Sequence, residues 1–299
     1  MRKFYGSGYQ HICQKTVDNG LIFLSPIDFV VFASIVGQHC FAVGLSVVAF
    51  CIMFNHIHLA AAFLTRRQMD AFMNGVISAF ARMYNRRYRR GGKLFHRPYQ
   101  SSAKFTDKKA RETIIYINNN PVEKSMVTTA RNYRWNFLRY LESPHPFSEP
   151  IDLSVASHNL TDLMNEVKIR KFEGKSLNYK MFDVRYHSLT TKEQEQFIDF
   201  CVSEYLALDR EAILNKYGSI DKMYEALDSV MGSEYDLCDD DGQEDYRHYC
   251  KMSEILNDEG YPVDRMRISA DNEDFPRLES RFRREAHASD YEIGKYFHR

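Results

Sequence analysis

The sequence predicts an α+β domain built on an antiparallel sheet, followed by a mainly α-helical, acidic C-terminal region. Three observations carry this. Strand-like and helix-like segments alternate through the first 120 residues or so. Two of the strands are joined by a connection too short for a crossover, so they pair antiparallel. Charge divides the chain: residues 1–150 hold 20 Lys+Arg and 8 Asp+Glu, a balance of +12, whereas residues 151–299 hold 20 and 32, a balance of −12. A basic half and an acidic half suit different partners, and the basic half is the one suited to a polyanion.

In chain order, YQHICQKTV (9–17) alternates loosely and reads as a first strand. Ser25-Pro26 opens a helix reaching about Cys40, with serine as N-cap and proline in the first turn. Phe29, Val30, Phe32, Ala33 and Val36 recur there at helical spacing. Residues 43–53 are β-rich and predict a second strand. Phe54-Asn55 turns the chain into HIHLAAAF, a third strand. A second helix is expected over 66–89, with Phe72, Val76, Phe80 and Met83 as its apolar stripe, and Gly91-Gly92 breaks it. A fourth strand follows near 94–105. Thr106 then caps a third helix that Pro121 is expected to end. The first six elements follow the β-α-β-β-α-β plan of the ferredoxin-like fold, with helices on one face of the sheet and the other face left for a site.

SPHPFSEP (143–150) carries three prolines and reads as a linker, dividing the chain into 1–142, 143–150 and 151–299. Helices are expected near 160–172, 191–208, 210–216 and 219–231. EYDLCDDDGQED (234–245) has seven carboxylates in twelve residues and reads as a solvated loop; the spacing of a calcium loop is absent. Ser289 with Glu292 makes a capping box for an amphipathic terminal helix. A helix-turn-helix would need a recognition helix, and none follows before Arg299. The six cysteines show no C-x-x-C pairing, which argues against a zinc site or disulfide framework. No run of eighteen apolar residues and no apolar signal core occur, so no membrane span and a cytoplasmic protein are expected.

The candidate site begins at His56 and His58. At positions i and i+2 of a strand both imidazoles leave the same face, about 7 Å apart at ~3.3 Å per residue. Ile57 and Leu59 turn the other way, into a core. Two neutral imidazoles on one face can hold a divalent metal; the plainer reading is two hydrogen-bonded histidines at a strand end. On the third helix Tyr116 and Asn120 lie four apart and share a face, next to an apolar face of Ala110, Ile114 and Ile117. From Ala71 to Thr106 there is no acidic residue, but there are Arg82, Arg86, Arg87, Arg89, Arg90, Lys93, Arg97 and Lys104, interleaved with Tyr84, Tyr88, Phe95 and Tyr99. Cations that follow phosphates and rings that stack on bases are what a single nucleic-acid strand requires.

Met53 to Leu59 reads M-F-N-H-I-H-L, residues 94–99 read L-F-H-R-P-Y, 116–122 read Y-I-N-N-N-P-V and 133–137 read Y-R-W-N-F. In order and spacing, about residues 8–142 resemble the single-tyrosine HUH transposases of insertion sequences, in particular the REP-associated tyrosine transposases, which commonly show M-P-N-H-x-H-L and Y-I-x-x-N-P-V. The resemblance implies an HUH nuclease domain that nicks and rejoins single-stranded or hairpin DNA through a 5′-phosphotyrosine. It implies that His56 and His58 bind Mg2+ or Mn2+, that Tyr116 is the nucleophile, and that Asn120 stands where relatives place a third polar ligand, often glutamine. Phe54 replaces the usual proline. Tyr99, near His96 in the basic segment, is a second candidate nucleophile. Gly91-Gly92 offers a hinge for placing the tyrosine helix within one chain or across a homodimer. The alternatives are a replication-initiator or relaxase-type nickase and a domesticated DNA-binding regulator without mobility; the intact His56, His58 and Tyr116 argue against the regulator. A bacterial, nucleoid-associated location is implied when DNA is bound.

Overall fold

Residues 8–229, 245–263, 266 and 273–297 are described by the computed structural model. The expected loop at 234–245 lies outside them except for Asp245. The N-terminal elements are β1 (Tyr9–Lys15), α1 (Pro26–Val43), β2 (Val47–Ile52), β3 (His56–Ala61), α2 (Arg66–Arg87), β4 (Gln100–Lys104) and α3 (Asp107–Glu123). The sheet order is β2-β3-β1-β4 with every neighbour antiparallel. This is the expected ferredoxin-like arrangement.

Local chemistry explains most boundaries. At α1 the Ser25 hydroxyl accepts from the Ile27 N–H, the Asp28 carboxylate accepts from the Ser25 N–H, and Pro26 takes the first helical position. Gly44, at φ 59°, stops it in the left-handed conformation. By length and composition α1 could cross a membrane, with a mean hydropathy of 1.5. Most of its apolar residues are instead buried inside the domain, where Phe32 meets Phe23, Phe50 and Phe80, while Phe41 and Val43 at its end are exposed. Thr65 and Thr106 cap α2 and α3 as side-chain acceptors for Gln68 and Lys109. In α2 the buried stripe contains Phe72, Val76 and Phe80, then Tyr84 in place of the expected Met83.

Two boundaries differ from expectation. β4 starts at Gln100, not near 94, because Pro98 has no N–H to give a ladder; only the isolated Thr16–Phe95 bridge precedes it. Pro121 does not end α3, which continues to Glu123. A proline there removes one helical bond. The turn beyond it still closes through Lys124 N–H to Asn120 O at 3.1 Å, and the ring is buried.

The two sheet faces have different cover. Ile12, Gln14, Phe50, Ile57 and Leu59 share the face packed by α1 and α2. His11, Cys13, Cys51, His56, His58 and Ala60 share the opposite face, and α3, the seventh element, lies across it.

The second half is helical: α4 (His158–Phe172), α5 (Thr191–Glu204), α6 (Arg210–Tyr217), α7 (Ile220–Ser229), α8 (Arg247–Asp258), α9 (Phe275–Glu285) and α10 (Asp290–Phe297). The capping box at α10 forms as expected, with Ser289 N–H on the Glu292 carboxylate at 2.7 Å. α5 packs on α1, and Gly37 allows it: a Cβ there would stand 2.1 Å from the Tyr205 carbonyl oxygen. Residues 143–150 run along α5. The Asp199 carboxylate accepts from Phe147 N–H and Ser148 hydroxyl at 2.9 and 3.0 Å, and Gln196 donates to the carbonyls of Glu149 and Pro150. α6 and α7 cover the outer side of α3, so this helix lies between the sheet and the second half.

Candidate tyrosine and metal site

Register places the histidines. His11 lies opposite Ala60 on β3 and diagonal to His58, so the two side chains share a face and can meet. His11 Nε2 and His58 Nδ1 are 3.0 Å apart. His56 and His58 converge more than straight strand geometry suggests, with ring centroids 4.9 Å apart and planes at 88°. His56 Nδ1 is 2.6 Å from Asn55 Oδ1. The same oxygen accepts from the Tyr246 hydroxyl at 2.8 Å, which brings a residue of the second half into the site.

α3 completes it. The Tyr116 ring lies edge-on to both neighbours, its centroid 5.5 Å from that of His58 and 5.7 Å from that of His11. One turn later, Asn120 Nδ2 is 3.5 Å from His58 Nε2. His56, His58, Tyr116 and Asn120, read from separate motifs, therefore meet in one place. All are buried, with exposures of 0, 0, 5 and 1%. The expected open face is closed in this conformation.

The donor set suits a hard or borderline divalent cation: two imidazoles and an amide, with no thiolate among them. Among the described residues no three His, Cys, Asp or Glu side chains form a metal-holding group.

The basic residues are arranged elsewhere. Arg82, Arg86 and Arg89 are exposed along the end of α2, on the side of the sheet away from the histidines. With Arg87 and Lys180 they line a cleft of about 670 Å³. Arg87 is half-buried and ion-paired with Asp183, a counter-charge supplied by the acidic half. Arg90 is half-buried and Lys93 exposed. Arg97 is exposed beside Ser78, and Lys104 is buried on edge strand β4 opposite Tyr9. Tyr99, the second candidate nucleophile, donates to Asp70 of α2 at 2.5 Å, on the face packed by α1 and α2.

His11, Asn55 and Tyr246 were not singled out from sequence. His11 had a signal, since its place in β1 puts it on the face of His58. Tyr246 had none, being 191 residues from Asn55.

Residues 28–120 match the family model of IS200-like transposases. The resemblance read from the motifs is thereby confirmed over a segment holding both histidines, Tyr116 and Asn120. A solved structure of a REP-associated tyrosine transposase bound to a REP hairpin also aligns, at 13% identity and a TM-score of 0.38, covering 53% of this chain and 96% of that one. No curated protein matches the chain. The matched segment begins within α1, so it leaves out β1 and His11, and it ends within α3.

Proposed function

We propose that the IS200-like domain is a metal-dependent DNA strand transferase in which Tyr116 is the nucleophile. The observation that carries this reading is the meeting of Tyr116 and Asn120 with the His56–His58 pair beneath one helix. The Tyr116 phenol oxygen forms a bond to a backbone phosphorus as the bond from phosphorus to the 3′ oxygen breaks. The phenol gives up one proton and the departing 3′-hydroxyl gains one. The 5′-phosphotyrosine keeps the ester bond, so a second 3′-hydroxyl rejoins the strand by the reverse step without a nucleotide cofactor. His56, His58 and Asn120 would hold Mg2+ or Mn2+. When bound, the cation polarises the scissile phosphate and orients it for in-line attack.

The substrate in this reading is single-stranded or hairpin DNA. Arg82, Arg86 and Arg89 supply phosphate contacts on one side of the sheet, while Lys93, Arg97 and Lys104 precede or lie on the edge strand between the two faces. DNA that uses both regions wraps that edge, and admitting a phosphate to Tyr116 requires α3 or its cover to shift. The protein acts in the cytoplasm on nucleoid DNA, as a monomer or homodimer.

The deciding experiment incubates the full chain with labelled single-stranded oligonucleotides and Mg2+ and isolates any covalent adduct. An adduct lost in Tyr116→Phe and by chelation is expected. One that survives Tyr116→Phe and disappears in Tyr99→Phe moves the nucleophile; no adduct on any DNA, with tight binding retained, favours the regulator.

A further inference from the structure

We infer that His11 and Tyr246 are positioning residues that lock both imidazoles of the His56–His58 pair in one tautomer, with Nδ1 protonated and the lone pair on Nε2, the nitrogen that would turn to a cation. The inference rests on the metal site proposed above and assigns roles to two residues outside the motifs.

An amide oxygen can only accept. Asn55 Oδ1, 2.6 Å from His56 Nδ1, therefore places the proton on Nδ1 and leaves the lone pair on Nε2. The Tyr246 hydroxyl donates to that oxygen at 2.8 Å and holds the amide in this orientation. Tyr246 is fully buried and its ring packs on Phe54 and Tyr249, so its hydroxyl is fixed in place.

At His58 the opposite nitrogen decides the tautomer. An amide nitrogen can only donate. Asn120 Nδ2, 3.5 Å from His58 Nε2, makes Nε2 the acceptor. The proton then sits on Nδ1, which donates to His11 Nε2 at 3.0 Å. The two imidazoles thus reach one tautomer through unrelated partners: Asn55 with Tyr246 for His56, and His11 with Asn120 for His58. Partners behind a ligating histidine set its tautomer and ring orientation, and their loss typically weakens metal binding by roughly 10–100-fold. Because Tyr246 belongs to the second half, the metal site of the IS200-like domain is completed by residues outside it.

The test uses full-length protein and two readouts. Long-range 1H–15N correlation of the imidazoles at pH 8, without metal, reports the tautomer of each histidine. Titration with Mn2+ followed by electron paramagnetic resonance reports affinity. Wild type should show Nδ1–H at both His56 and His58. Tyr246→Phe, which removes one oxygen from a retained ring, should mix the His56 tautomers and weaken Mn2+ binding about 10-fold. His11→Leu should do the same at His58, and His11→Gln, whose amide oxygen can accept, should restore both signals in part. Unchanged tautomers and unchanged Mn2+ affinity in Tyr246→Phe and His11→Leu would overturn the positioning roles while the metal site stands. Wild type with the stated tautomers but no Mn2+ binding overturns the metal site and leaves the positioning intact. Nε2–H tautomers in wild type overturn the proposal outright.

Discussion

The two faces of the sheet bury comparable side chains for opposite reasons. On one, Ile12, Phe50, Ile57 and Leu59 pack under α1 and α2, and their burial stabilises the fold by transfer from water. On the other, His11, His56 and His58 are buried just as completely under α3. Burying imidazoles costs free energy unless every nitrogen finds a partner. Here hydrogen bonds with Asn55 and Asn120 and between His11 and His58 offset that cost. The first face gains stability mainly from apolar burial; the second is held together by directional bonds, and a single deleted partner is felt there as a change in chemistry.

That contrast can be broken or sharpened by mutation. The largest effect is expected from His56→Ala with His58→Ala: Mn2+ binding is lost and adduct formation falls by roughly 10³-fold or more, as when a catalytic unit is dismantled. Calorimetry and the oligonucleotide assay measure the two losses. Leu59→Ala should behave inversely. It should cost about 2–5 kcal/mol in urea unfolding and leave the Mn2+ affinity of the folded protein unchanged. Should Leu59→Ala also abolish metal binding, the faces are not separable.

The exposed arginines come next. Replacing Arg82, Arg86 and Arg89 with alanine should leave Mn2+ affinity intact and weaken single-strand binding, lowering the salt slope by about 0.7 for each phosphate no longer neutralised. An unchanged slope would remove the end of α2 from the DNA path. The smallest effect concerns the far end of the chain. Ion pairs with Arg281 and Arg284 hold the Glu285 carboxyl down at about 2. A depressed folded-state value stabilises above the ordinary carboxylate pKa of 4.5 and is lost as pH falls from there towards about 2. Acid should therefore loosen the α9 region over that interval; Glu285→Gln should flatten the profile seen by hydrogen exchange, with a small loss near neutrality, because exposed pairs contribute little, and none in acid.

The face that gains stability from packing was the more readable one. Alternation in β1 and β3 and the Phe72–Val76–Phe80 stripe carry their own period, so element order and sheet class followed from local sequence. Errors arose where backbone hydrogen bonding decided the boundary, at Pro98 before β4 and at Pro121 within α3. On the polar face, the motif residues His56, His58, Tyr116 and Asn120 were legible, and the structure brings them together. Their enclosure was not. It depends on α3 lying between the sheet and α6–α7, a matter of tertiary docking with no periodic trace. His11 was readable in principle once β1 was placed beside β3. Asn55 stood within the motif but had no visible partner until Tyr246 reached it.

The Tyr246–Asn55 bond has a consequence in time as well as space. A chain leaves the ribosome from its N-terminus at roughly 5–20 residues per second. The basic half, with both histidines and Tyr116, is therefore made roughly 5–20 seconds before residue 246. During that interval the nascent protein has Tyr116 but lacks the hydroxyl that steadies Asn55. A message broken before codon 246 would release the same unfinished product. The bond that steadies Asn55 would then form late, only once Tyr246 has been made.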